Sequence, residues 1–258
     1  MSIDWRQVTV VVGRPEATAG RWLNAFSDLG ARAVHQPGLE IVASPSDEPT
    51  LADAAQITPT DAAVFSSPAA VAHGLRLKPL RRWLEAGGLC WAVGEQTGKR
   101  LLAAGALKIR TPGTGSGVDA LLMESDFPDA GRVFLIAARG GRQRLAEVLE
   151  DRHIECRWIY AYARRPAPLN LAAERALREA PGPVVVLGTS LAIVERLSTL
   201  LGSALGGSVL VSVSERITRA AADLQFQRIV TVPEPSLASV LEGVKVALAG
   251  APHGKSGG

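Results

Sequence analysis

Small hydroxyl residues and arginines recur in this chain just after short apolar runs and just ahead of helical patterns. Arg14 follows Val8–Val12, Ser66 and Ser67 follow Ala62–Phe65, and Arg139, Gly140 and Gly141 follow Arg132–Ala137. Thr189 and Ser190 follow Val184–Leu187, Ser214 and Arg216 follow Ser208–Val213, and Thr97 comes after Leu89–Val93. A helix N-terminus offers unpaired N–H groups and a partial positive charge, and an arginine adds a rigid fork of donors. The chemistry this points to is binding of carboxylate or phosphate, and several such ends suit a ligand with several acidic groups. Each residue also has a plainer reading: a serine or threonine before a helix is an ordinary cap, and Arg14 can form a surface ion pair. Recurrence at matching strand ends lifts them above it.

Other chemistries find little support. Arg139 and Arg142 flank Gly140-Gly141 like an anion-binding turn, but no GxGxxG or P-loop spacing is present. Gly188–Ser190 lacks the GxSxG frame of a nucleophile elbow. No paired carboxylates, Ser–His–Asp set or metal-ligand cluster can be assembled, so neither a metal nor a cofactor is expected. His35 and His153 are isolated and read as structural or solvent-facing. Cys90 and Cys156 stand far apart without a CxxC, which argues against a disulfide or zinc site and for a reduced, cytoplasmic protein.

The loops are carried by a repeat. PVVVLGTSLAIVERL echoes DAAVFSSPAAVAHGL with Ser190 123 residues after Ser67. Ser214 stands 120 after Gly94, Arg139 125 after Arg14, and Pro233 121 after Pro112, each within a similar segment. Four paired segments at nearly the same offset, in one order, make the chain two copies of a β/α unit.

Val8–Val12 is short enough for a buried parallel strand. The helix after it, Ala17–Leu29, puts Trp22, Leu23, Phe26 and Leu29 at helical spacing as core residues and closes at Gly30. Helices are also expected from Pro68, capped by Ser67, and over Thr97–Ala104, Leu191–Leu200, Ile217–Leu224 and Leu237–Ala249. Ala33–Ala43 and Cys156–Ala163 are extended and read as crossings between domains. The expectation is an α/β fold of two similar flavodoxin-like or Rossmann-like three-layer domains with parallel sheets, joined by a two-segment hinge with a ligand cleft between them. One domain would comprise residues 1–38 and 165–250, the other 39–164, with 251–258 a disordered tail.

With 258 residues, 47% hydrophobic and 21% charged, the composition is that of an ordinary globular protein. No segment approaches the ~20 apolar residues that span a bilayer, and MSIDWRQ shows no secretory h-region. A net charge of +3 allows an anionic partner, but basic residues are scattered without the blocks that bind nucleic acid. Neither nucleic acid nor membrane is expected as a partner, and a monomer is.

The pieces GRPE, VFSSPAAV, AVGEQT, RGGRQRL, YAYARRP, GTSLAIV and PEPSLASVLE, in this order and spacing, resemble the uroporphyrinogen-III synthase family over nearly the whole chain. In VSVSERI, Ile217 stands where that family often has threonine, and Ser66 likewise replaces a threonine while keeping the hydroxyl. The resemblance implies cyclisation of hydroxymethylbilane, a polycarboxylate tetrapyrrole, to uroporphyrinogen III with inversion of the terminal ring, loss of water and no cofactor. It would explain helix ends and arginines in place of a catalytic triad. Tyr162, in the second crossing segment, is the candidate to donate a proton to, or orient, the departing hydroxyl, and Thr97 is the second candidate. The competing reading is a two-lobed binding or sensor protein that holds an anionic metabolite without chemistry. A nicotinamide or flavin enzyme stands third, because the turn GRPEA lacks the required glycines.

Overall fold

The computed structural model describes residues 3–44, 48–115, 117–128, 131–141 and 143–249. Arg142 and the tail 251–258 lie outside them. In chain order the elements are β1 (Thr9–Val12), α1 (Glu16–Asp28), β2 (Arg32–His35), β3 (Leu39–Ala43), α2 (Glu48–Ala55), β4 (Ala62–Phe65), α3 (Pro68–Gly74) and α4 (Lys78–Glu85). They continue with β5 (Leu89–Ala92), α5 (Glu95–Ala103), β6 (Lys108–Arg110), α6 (Val118–Leu122), β7 (Arg132–Ala138), α7 (Arg144–Asp151) and β8 (Glu155–Pro166). The chain closes with α8 (Leu171–Arg178), β9 (Val184–Gly188), α9 (Leu191–Leu201), β10 (Val209–Ser212), α10 (Glu215–Ala220), β11 (Arg228–Thr231) and α11 (Leu237–Ala249). Among the described residues no helix is long and apolar enough to cross a membrane.

The chain divides into two compact units, one running to Glu40 and resuming at Arg165, the other being Ile41–Arg164. The first holds a sheet ordered β11-β10-β9-β1-β2, the second a sheet ordered β3-β8-β7-β4-β5-β6. The pairings within β11-β10-β9-β1-β2 and within β8-β7-β4-β5-β6 are all parallel. β3 is different: Ser44 N–H donates to the Ala161 carbonyl and Ala167 N–H to that of Gly38, so it runs antiparallel to β8.

The two sheets share one plan, with parts exchanged. In each, a first strand (β1 or β7) lies between its successor (β2 or β8) and the first of three further strands (β9 or β4). The three further strands come from the other half of the sequence. Strand order therefore reverses direction at β1/β9 in one unit and at β7/β4 in the other. Such switch points, at the carboxyl ends of the strands, are where open α/β sheets bind ligands.

Central strands are apolar on both faces because helices cover both: β1, β4 and β10 are buried at every residue. Phe65, Phe134 and Ile136 point to a layer with α3, α4 and α5, while Val64, Val133 and Leu135 point to one with Leu121, Leu145 and Leu149 of α6 and α7. In the other unit Val10, Val12 and Leu187 meet Trp22, Phe26 and Val244, and Val11 and Val186 meet Ile193, Val194 and Leu197.

Three local expectations need correction. Leu29 lies past the end of α1 and is 40% exposed, because Gly30 at φ +91° turns the chain away there. α5 begins at Glu95 with Gly94 as cap, so Thr97 lies inside its first turn. α10 runs Glu215–Ala220, and the chain leaves the helix at Ala221, letting Leu224 and Phe226 pack on the α9 layer.

At the amino ends of β4 and β7, opposite the switch point, Asp61 accepts from Arg132 Nε (3.1 Å) and Nη2 (2.9 Å) and from the Thr58 N–H (2.6 Å) and hydroxyl (2.8 Å). Burial alone would raise the Asp61 pKa, but the Arg132 guanidinium and the Thr58 donors outweigh it and hold the carboxyl below its ordinary value. A depressed pKa means stability that is full above the unfolded value, about 4, and is lost as pH falls through the folded one. Asp61→Asn should cost roughly 2–3 kcal/mol at pH 7. The gap in denaturant midpoint between the two proteins should close as pH drops below about 4; a gap that persists there would contradict this account.

Candidate functional site

In the unit Ile41–Arg164, the switch point is bounded by the loops after β7 and β4. Ser67 has extended backbone (φ −169°, ψ 165°) and its Oγ accepts from the Ala70 N–H at 3.1 Å, capping α3, with Pro68 at the first helical position. The same Oγ lies 2.9 Å from the hydroxyl of Tyr162. Tyr162 is only 2% exposed, so its phenol addresses the loop through Ser67. Its ring stacks on His73 at 6.0 Å. Burial, and then the nearby Arg76, lowers the His73 pKa and favours the neutral ring.

What brings Tyr162 to Ser67 is a bulge. Ala137 pairs with Tyr160 but Ala138 pairs with Tyr162, leaving Ala161 as an extra residue in β8. Side chains two apart on a strand share a face, and YAY would put both tyrosines together. The bulge instead turns Tyr162 into the layer with α3, away from the face Tyr160 keeps.

On the other side of this switch point, the turn Ala138–Gly141 closes with Gly141 N–H on the Ala138 carbonyl at 3.0 Å. Gly140 sits at φ +69°, a conformation that favours glycine. Arg139 N–H donates to the Tyr162 carbonyl at 2.9 Å, and its guanidinium lies 4.9 Å from the centre of the Tyr160 ring. Ser66 is half-buried, its N–H held by the Ile136 carbonyl. Thr97 is buried one strand further along, in the first turn of α5.

In the other unit, the switch point lies between the loops after β1 and β9. Ser190 is extended and caps α9, its Oγ accepting from the Ile193 N–H at 3.4 Å, and Thr189 beside it is half-buried. Arg14 is half-buried with its guanidinium over the Trp22 ring (5.1 Å), and Arg21 lies over the same ring at 5.5 Å. Burial, then repulsion from Arg21, lowers the Arg14 pKa. Its Nε is buried with no hydrogen-bond partner among the described residues. A guanidinium stays charged regardless, so a donor of a charged group is buried here without a partner among the described residues. Ser214 caps α10, accepting from the Ile217 N–H at 3.3 Å, and Arg216 is exposed in its first turn.

Two features escaped sequence reasoning. His35 Nε2 donates to the Arg14 carbonyl at 2.9 Å while Nδ1 faces Glu16 at 3.2 Å; the 21-residue separation hides this until β1 and β2 pair with Val12 opposite His35. Ser212, Thr218 and Thr231 join hydroxyls at 2.8 and 2.6 Å and pin α10 between β10 and β11. Among the described residues no three metal-ligating side chains come together. Cys90 and Cys156 are free thiols, which burial pushes up to about 12 and about 11, so neither is a ready nucleophile.

A family model described as HEM4, uroporphyrinogen-III synthase HemD, matches residues 21–242. Among solved structures, the chain is similar to uroporphyrinogen-III synthetase from Helicobacter pylori, at 16% identity, covering 93% of this chain and 98% of that one with a TM-score of 0.60. It is also similar to a mutant uroporphyrinogen III synthase from Thermus thermophilus, at 19% identity, covering 95% and 99% with a TM-score of 0.54. At such identities the likeness is one of fold. No curated protein sequence matches the chain.

Ser67→Ala removes both the cap of α3 and the partner of the Tyr162 hydroxyl, and should cost about 1–2 kcal/mol. Tyr162→Phe leaves the cap in place and should cost about 1 kcal/mol or less. Urea unfolding of the two variants checks the order; equal losses would mean that the cap contributes nothing.

Proposed function

We propose, from the premise that this chain belongs to the uroporphyrinogen-III synthase family, a division of labour among its loops in that family's reaction. The enzyme cyclises hydroxymethylbilane to uroporphyrinogen III, inverting the terminal pyrrole ring and releasing water, a cyclising-lyase step of tetrapyrrole biosynthesis. In our reading, each switch point offers donors to carboxylates of the substrate. Arg14, Thr189 and Ser190 serve one switch point, with Ser214 and Arg216 alongside. Ser66, Ser67, Arg139, Gly140 and Gly141 serve the other. The observation that carries this reading is Arg14: a half-buried guanidinium, braced by Trp22, whose buried Nε lacks a partner among the described residues.

The chemistry asks little of the protein's own acids and bases. The bond from the hydroxymethyl carbon to oxygen breaks, the pyrrole nitrogen lone pair stabilises the methylene cation, and the oxygen leaves as water after taking one proton. The Ser67 hydroxyl is the proposed donor, with the Tyr162 phenol behind it to replace the proton. Thr97 is the second proposed catalytic group, at the neighbouring strand end. The substituted carbon of the terminal ring then forms the new carbon–carbon bond, giving a spiro intermediate. Holding that carbon against the cation, and the unsubstituted route away from it, is catalysis by positioning. The bond from that carbon to its original bridging methylene then breaks, leaving a second methylene cation on the neighbouring pyrrole. The free carbon of the terminal ring captures it, and loss of that carbon's proton restores the pyrrole and returns the proton first given up. Water is thus the only group lost, and no cofactor is needed. We place the enzyme in the cytoplasm as a monomer.

Given fresh hydroxymethylbilane, the protein should yield type III porphyrin after oxidation; product that stays entirely type I would favour the binding-protein reading. Arg14→Ala should raise KM by roughly 10- to 100-fold with kcat little changed. Tyr162→Phe should lower kcat by at least about tenfold at an unchanged KM. A rise in KM alone for Tyr162→Phe would assign that residue to binding instead.

A further inference from the structure

Arg14 and Arg139 stand 125 residues apart at matching places in the two halves, and each guanidinium lies over an aromatic ring. The rings are not repeats of one another. Trp22 comes from the helix that follows Arg14, whereas Tyr160 comes from the neighbouring strand β8. The two halves thus reach one arrangement by different side chains, which points to the arrangement itself as what matters.

The register strengthens the point. Tyr160 lies opposite Ala137 near the end of β7, and its counterpart in the other unit, opposite Val12 at the end of β1, is His35. His35 grips the Arg14 carbonyl at 2.9 Å; Tyr160 lies against the Arg139 side chain at 4.9 Å. The same sheet position steadies the arginine loop in both units. Tyr160 in turn stacks on Trp158 at 5.4 Å with 21° between the rings. Guanidinium, phenol and indole thus form a ladder along one face of β8. Tyr160 is half-buried and belongs to neither core layer of its unit, so general packing does not account for it.

We propose that Tyr160, backed by Trp158, is a positioning residue that holds the Arg139 guanidinium ready for a carboxylate of the tetrapyrrole substrate. This rests on Arg139 being a carboxylate ligand, as read above. An unconfined arginine side chain loses much rotamer freedom when it binds, and a ring that already restricts it removes part of that cost while adding cation–π attraction.

The test is a double-mutant cycle on the full chain, read as KM and kcat for hydroxymethylbilane. Tyr160→Leu should raise KM about three- to tenfold with kcat within about twofold. Tyr160→Phe, which keeps the ring, should behave as wild type. Tyr160→Leu should add little once Arg139→Ala is present. Tyr160→Met replaces the leucine variant if the latter does not fold. An unchanged KM in Arg139→Ala would remove the carboxylate reading of Arg139 itself. A raised KM in Arg139→Ala beside an unchanged one in Tyr160→Leu, or additive effects, or a phenylalanine variant as impaired as the leucine one, would overturn the role of Tyr160 alone.

Discussion

Each sheet is held at its centre by hydrogen bonds between strands from opposite halves of the sequence: β1 to β9 in one unit, β7 to β4 in the other. Everything at each switch point depends on the ladder of its own unit. Each ladder brings an arginine loop from one half beside a hydroxyl-capped helix from the other, which neither half could do alone. The Asp61–Arg132 fork fastens one of these ladders at the end away from the ligand loops, so the loops themselves are spared that task.

Above the ladders, the structure relies on fixed donors more than on titrating groups. Ser67, Ser190 and Ser214 already accept from backbone N–H groups three residues on, so each hydroxyl is oriented before a ligand arrives. Arg14 and Arg139 are each steadied by an aromatic ring, a neighbour that confines a guanidinium without neutralising it. Preorganised dipoles and cations suit a reaction whose difficulty is choosing which carbon attacks, since the electronic driving force lies in the pyrrole.

Much of this is legible in the sequence because it is local. A serine cap needs only the few residues that follow it, and a doubly covered strand announces itself as an unbroken apolar run. The helix and strand pattern, the repeat and the α/β class follow from such signals. What is not legible depends on a single displaced residue or on distant contact. Ala161 as a bulge cannot be told from an ordinary strand residue, yet it decides that Tyr162 and Tyr160 part company. The Ser67–Tyr162 hydrogen bond joins residues 95 apart. Leu29 follows the helical period of α1 but falls beyond the helix, so periodicity misassigns it. Arginines over aromatic rings leave no periodic trace at all.

The exchange of halves also sets an order of events during synthesis. The unit Ile41–Arg164 is one continuous stretch and can close while the ribosome is still adding later residues. The pair β1–β2, made first, has to wait with an exposed flank until β9 emerges about 150 residues later. A nascent chain that carries such an orphaned segment past a finished unit has reason to be met by a chaperone, and a pair made before that unit is housed after it.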